Sequence, residues 1–105
     1  MRYRLKPTEK FKSDFRRLKM EHPEMIPELK EAFQELIDEG TLPSGYVPHV
    51  LGNRGGLYNG RMDAHIWEGR VDVVLVYQPH ASQPSILLLR CGTHGELFQG
   101  GFHER

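Results

Sequence analysis

The chain has 105 residues, 38% hydrophobic and 27% charged, with a formal net charge of zero, six histidines and one cysteine. This length fits one domain with its own core, the composition excludes global disorder, and a single cysteine excludes an intrachain disulfide. No run approaches the roughly 20 apolar residues of a membrane-spanning helix, and the basic start Met1–Lys6 has no apolar stretch behind it, so a cytoplasmic protein without signal peptide or membrane contact is expected.

In chain order, Tyr3-Arg4-Leu5 alternates with charged neighbours and reads as a short strand ended by Pro7. Thr8 is placed to cap a helix whose apolar stripe is Phe11, Phe15 and Leu18. His22-Pro23 ends that helix, because proline disfavours helical geometry in the residue before it. A second helix runs from about Glu24 to Glu39 with the stripe Ile26, Leu29, Phe33, Leu36 and Ile37. Pro27 suits its first turn, Gly40 its C-terminal cap, and Pro43 prevents continuation. The short connection makes the pair a helical hairpin with one apolar side that needs cover. Residues 41–60 are rich in Gly and Pro and read as an irregular connection. Three strand-like runs follow, Arg61–Trp67, Val71–Tyr77 and Ser85–Cys91, separated by a tight turn at Glu68-Gly69-Arg70 and a longer loop at 78–84. The order β-α-α-β-β-β predicts an α+β fold, a helical hairpin packed on a twisted antiparallel sheet. It occupies residues 1–98 as one domain, with 99–105 a short tail.

Charge is segregated along this order. Residues 1–19 hold eight Lys/Arg against two acids, a balance of +6, and residues 20–40 hold seven acids against Lys30, a balance of −6. Such asymmetry marks either one polyanion-facing surface or two solvated helix faces that attract each other.

The residues able to carry chemistry lie in the strand half. His65 falls at a strand centre, His94 just past a strand end and His49 in the connection, and adjacent strands can bring all three to one side of the sheet. Asp63 lies two residues before His65, so both side chains point to the same face. A carboxylate beside an imidazole orients the ring and favours its charged form. On pattern alone, a solvent-facing Asp63–His65 pair and structural histidines are the more common explanation. His22, His80 and His103 read as surface residues. His49, His65, His94 and Asp63 could in principle hold zinc, but no short Cys or His spacing supports a metal site, and no glycine-rich phosphate loop or nucleophile elbow exists. Arg54, Arg61 and Arg90 share this half and could grip a phosphate with paired hydrogen bonds. Phe98 is either a core plug or an aromatic platform for a base, and Cys91 is either a core thiol or a strand-end thiol.

One ordered string joins these pieces: Thr41-Leu42-Pro43, His49 with Leu51 and Gly52, Asp63-Ala64-His65, Asp72 before Val73-Val74-Leu75-Val76-Tyr77, then Arg90-Cys91-Gly92-Thr93-His94 and Leu97-Phe98. It resembles the YafQ branch of the RelE/ParE toxin superfamily, over most of the chain from Leu5 to Phe98. The resemblance implies a RelE-like microbial ribonuclease fold and a toxin of a type II toxin–antitoxin system. It implies an endoribonuclease that cuts mRNA on the ribosome without metal or other cofactor, by attack of the RNA 2′-hydroxyl on the adjacent phosphate, leaving a 2′,3′-cyclic phosphate and a 5′-hydroxyl. Catalytic positions matched by the resemblance are His49, His65, Asp72 and His94. Asp63 and Phe98 match positions around the site, Arg90 a phosphate contact, and Arg54 and Arg61 stand as further substrate contacts. Between His65 and Asp72 the chain carries about three extra residues, so the place of Asp72 depends on the Trp67–Arg70 turn. Implied partners are the ribosome with its mRNA and a cognate antitoxin that wraps the toxin and carries it to operator DNA. The competing readings are a ParE-like gyrase poison and a decayed toxin that only binds its antitoxin.

Overall fold

The first helix starts at the residue best suited to start it. Thr8 is extended (φ −82°, ψ 168°) and its Oγ1 accepts a hydrogen bond from the Phe11 N–H at 3.2 Å, capping α1 (Glu9–Glu21). The same hydroxyl donates to the Leu88 carbonyl at 3.0 Å, as does the Thr8 N–H, so the cap also fastens α1 to the last strand. A 3-10 turn (Pro23–Met25) leads into α2 (Ile26–Glu39), with Pro27 in its first turn. Gly40 ends α2 in the left-handed region (φ 78°), its N–H on the Leu36 carbonyl at 2.9 Å. A Cβ at Gly40 would also collide with the Tyr3 ring.

The computed structural model describes residues 2–52, 60–68, 72–93, 95 and 97. Among them, five strands form one sheet in the order β1-β5-β4-β3-β2, made of β1 (Arg4–Pro7), β2 (His49–Val50), β3 (Met62–Glu68), β4 (Asp72–Pro79) and β5 (Ser85–Thr93). The hairpin-on-sheet architecture agrees with the sequence expectation, while the sheet is mixed. β1 pairs with β5 in parallel, from Arg4 opposite Ser85 to Pro7 opposite Leu88, and the other pairs are antiparallel. Consecutive antiparallel pairings place β5 inside the sheet, and its remaining edge takes β1, a parallel pairing that the long intervening chain allows. The two residues of β2 are too few for periodicity to show.

Alternation divides the sheet residues between two faces. Ala64, Ile66, Val73, Leu75, Tyr77, Ile86, Leu88 and Cys91 face the helices and pack on Phe11, Leu18, Leu29 and Leu36. Cys91 is thus a core thiol. On the other face a smaller apolar cluster holds Leu51, Val74, Val76 and Leu97. No helix of the described residues is long and apolar enough to cross a membrane.

Among the described residues, a carboxylate lies inside the helix–sheet layer. Asp14 occupies the buried stripe of α1 between Phe11 and Leu18. It accepts from Arg90 Nε at 2.6 Å and Nη2 at 3.2 Å and from the Cys91 N–H at 3.1 Å, and Arg17 Nη2 lies 3.7 Å away. A buried carboxylate is stable only when its oxygens are satisfied in this way.

Two stability effects follow. Gly40→Ala should cost about 1–2 kcal/mol from the left-handed conformation before the collision with Tyr3, lowering Tm by roughly 5–10 °C in a thermal melt. Asp14→Ala should cost about 3–5 kcal/mol, because it leaves Arg90 buried without its carboxylate, and denaturant titration would show a reduced midpoint.

Candidate functional site

The helix-free face of the sheet carries two imidazole–carboxylate pairs side by side. Strand register sets them there. His49 on β2 lies opposite Asp63 on β3, and His65 on β3 lies opposite Val74 on β4, two residues from Asp72. His49 Nε2 is 3.3 Å from Asp63 Oδ2, and His65 Nδ1 is 3.2 Å from Asp72 Oδ1. The two rings are nearly parallel, with centroids 6.1 Å apart and an interplanar angle of 22°. The result is a row in the order Asp63, His49, His65, Asp72.

Asp63 and His65 share a face, as their spacing requires, but each imidazole takes its carboxylate across the sheet. For His49 and Asp63, directly opposite each other, the reason is distance, whereas Asp72 sits on the diagonal from His65 and its side chain spans to the ring. Residues i and i+2 on one strand are about 6.7 Å apart, whereas cross-strand neighbours have Cβ atoms about 4.5–5.5 Å apart. Asp72 reaches His65 despite the longer turn, and a register shift between His65 and Trp67 leaves Ile66 as an extra residue in β3. This bulge slips the hairpin so that Glu68 lies opposite Asp72.

His49 is held on both edges. Its Nδ1 is 2.9 Å from the Val47 carbonyl oxygen, which can only accept, so Nδ1 carries the proton of that bond. Val47 presents the carbonyl from a left-handed conformation (φ 50°, ψ 53°), uncommon for a β-branched residue. Strained backbone of this kind persists where surrounding structure enforces it. Here the 3-10 turn Ser44–Tyr46 precedes it, and the Val47 N–H bonds the Ser44 carbonyl at 2.9 Å. The residues before His49 gave no sequence signal for this device beyond the flanking Pro43 and Pro48.

Exposure differs along the row. Asp63 is buried (2%), while the side chains of His49 and Asp72 are 45% exposed and that of His65 is 20% exposed. Both rings are therefore accessible to a ligand over the sheet, above a carboxylate that solvent scarcely reaches. Asp63 also acts on Tyr77. Burial, and secondarily the Asp63 charge, pushes the Tyr77 hydroxyl up to about 12. That hydroxyl has no hydrogen-bond partner among the described residues.

The structure thus brings together His49, Asp63, His65 and Asp72. It places Arg61 half-buried at the start of β3, its carbonyl accepting from the Leu51 N–H at 2.8 Å. Arg90 is held on Asp14, as described above. His94, Phe98 and Arg54 lie outside the described residues. Among the described residues, no three His, Cys, Asp or Glu side chains gather to hold a metal ion. Asp14, which holds Arg90, has its own sequence signal, an acid at a buried position of an apolar stripe.

Comparison with known proteins gives a consistent answer. Residues 3–99 match the family model described as the bacterial toxin of the type II toxin–antitoxin system, YafQ. No functionally curated protein matches the sequence. Among solved structures, a histidine-to-glutamine mutant of YafQ from E. coli is 26% identical, with 91% of this chain and 98% of that one covered and a TM-score of 0.74. YafQ in the E. coli DinJ–YafQ toxin–antitoxin complex is 26% identical over 93% and 99% of the two chains, at 0.73. A metal-bound toxin from Helicobacter pylori is 28% identical over 93% and 100%, at 0.72.

The Tyr77 environment predicts an alkaline limit to stability. An unfolded tyrosine ionises near 10, and the folded one retains its proton to about 12. The stability this contributes is complete below pH 10 and lost as pH rises towards 12, because only the unfolded chain sheds the proton in that window. Phenolate absorbance should show a late-titrating component that Tyr77→Phe removes, and Tyr77→Phe should flatten the loss of stability between pH 10 and 12.

Proposed function

The chain belongs to the YafQ family of bacterial type II toxin–antitoxin toxins, and from that premise we propose that it is an endoribonuclease that cleaves mRNA on the ribosome. The supporting observation is the pair of imidazole–carboxylate contacts on one open sheet face, with ring centroids 6.1 Å apart. Cleavage by the RNA's own 2′-hydroxyl forms a bond from the 2′-oxygen to phosphorus and breaks the bond from phosphorus to the 5′-oxygen. One group must take the 2′-hydroxyl proton, another must give a proton to the leaving 5′-oxygen, and cations must balance the phosphorane. The products are a 2′,3′-cyclic phosphate and a 5′-hydroxyl, with no water or metal consumed in the step.

In this reading Asp72 holds Nδ1 of His65, which directs proton transfer to Nε2, the usual division of labour in a carboxylate-oriented imidazole. His49, braced by Asp63 and the Val47 carbonyl, is a second polar group for the scissile phosphate. His94 follows directly on β5 and takes the complementary proton-transfer role. Arg61 and Arg54 supply positive charge to the phosphate, Arg90 keeps the end of β5 in place through Asp14, and Phe98 stacks on a base. The antitoxin partner is proposed from the DinJ–YafQ complex of the E. coli relative. The metal-bound state of the Helicobacter toxin makes a direct test of metal independence worthwhile.

Wild type and the His65→Ala and His94→Ala variants should be induced in a bacterial host while growth and mRNA 5′ ends are followed. Wild type should arrest growth and create new 5′-hydroxyl ends, and each variant should lose roughly 10²–10⁴-fold in cleavage rate. Growth arrest without new ends, above all with collapse of DNA supercoiling, would reject the nuclease reading in favour of gyrase poisoning. Cleavage on purified ribosomes should persist in excess chelator with magnesium replenished.

A further inference from the structure

The far corner of the sheet carries a cationic groove that the histidine row does not use. Two cavities adjoin there, of about 510 and 320 Å³, and Lys6 and Ser85 line both. Arg4 lines the larger, and His80 the smaller. No carboxylate is among the lining residues described for either one. Arg2 also reaches the larger cavity but is engaged by Asp38 at 3.3 Å. Arg4 and Lys6 are exposed and have no carboxylate partner among the described residues.

Topology fixes where they point. Leu5 packs against the helix-side core, so its neighbours Arg4 and Lys6 project to the opposite face, the face of His49 and His65. Arg4 and Lys6 are about 6.7 Å apart along an edge strand. Four strand spacings separate β1 from β2, which puts this pair on the order of 20 Å from the histidine row. A polynucleotide lying over the helix-free face and reacting at the histidines has a second, basic landing point at the opposite edge. Beside Lys6 in the smaller cavity lies Leu87, an exposed apolar side chain on β5, which suits the flat face of a base.

We propose that the Arg4–Lys6 groove along the β1–β5 edge is a second RNA-backbone site, in which the two cations hold phosphates of an RNA strand remote from the bond being cut. The inference rests on the nuclease reading and extends it. In a chain of zero net charge, overall attraction for RNA is weak, so affinity must come from local clusters like this one. The same phosphates could belong to the message or to ribosomal RNA, and the experiment separates the two.

Binding should be measured in the His65→Ala background, where RNA stays intact. One arm uses a fluorescent single-stranded RNA oligonucleotide, the other cosedimentation with vacant ribosomes, each from about 50 to 200 mM salt. Arg4→Gln/Lys6→Gln should weaken binding roughly tenfold at 100 mM salt and reduce the slope of log affinity against log salt by about 1.4 for single strands. Loss in the oligonucleotide arm assigns the groove to the message, and loss with ribosomes alone assigns it to ribosomal RNA. Lys19→Gln/Lys30→Gln, an equal charge change on the helices, should leave the slope unaltered. Full-strength binding by the Arg4/Lys6 variant in both arms, or an equal loss in the helix control, overturns the site. Failure of the parent itself to bind RNA in either arm overturns the nuclease reading and the groove together. Circular dichroism and thermal melting check that both variants fold.

Discussion

The structure turns on one buried carboxylate. Asp14 sits where an apolar residue would normally lie in the stripe of α1, and it binds the side chain of Arg90 and the backbone of Cys91 on β5. β5 is the strand against which both β1 and β4 are laid, so this contact sets where the helix layer meets the sheet. Apolar packing alone would let α1 slide along its stripe, since leucine and phenylalanine contacts are not directional. An ion pair with two guanidinium bonds and a backbone bond admits one register. The Thr8 cap, bonded to the Leu88 carbonyl, fixes the same helix at its start. The site face inherits that register through the ladder from β5 to β4 to β3 to β2.

Much of this was legible in the residues. The helical hairpin follows from two apolar stripes, a threonine cap, prolines and a terminal glycine, each acting over a few residues. The three long strands follow from apolar runs and breakers. What escaped was set by contacts distant in sequence. The direction of β1 depends on a strand some 80 residues later, and β2 is a strand only because β3 lies beside it. The site shows the same division. His49, His65, Asp63 and Asp72 could be nominated one by one, and the shared face of Asp63 and His65 follows from strand alternation. Their pairing could not, because it depends on cross-strand register and on a bulge at Ile66. Arg90 shows the converse. Its place beside the Gly92-Thr93-His94 stretch suggests a phosphate contact, and the pairing that no local pattern shows is with Asp14, an aspartate on a helix 76 residues earlier.

Charge is arranged with similar economy. The acidic half of the first 40 residues is mostly α2, on the layer away from the histidines, while Arg4 and Lys6 extend from β1 on the histidine side. Net neutrality therefore conceals two faces of different character, which permits one surface to attract phosphate while the molecule as a whole is not broadly adhesive to nucleic acid.

The parallel pairing of β1 with β5 has a further consequence, one of timing. Among the described residues, 4–7 belong to the first strand of the sheet and 85–88 to the last, and they pair, so β1 finds its partner only after the helices and the intervening strands have been made. Loop closure over such a span is slow compared with formation of the helical hairpin. As the chain leaves the ribosome that synthesises it, the helices form early and the sheet last, and β3 meets β4 before β5 is complete. In this order the sheet stays open at the β5 position, and α1 stays without its Asp14–Arg90 anchor, until β5 has emerged.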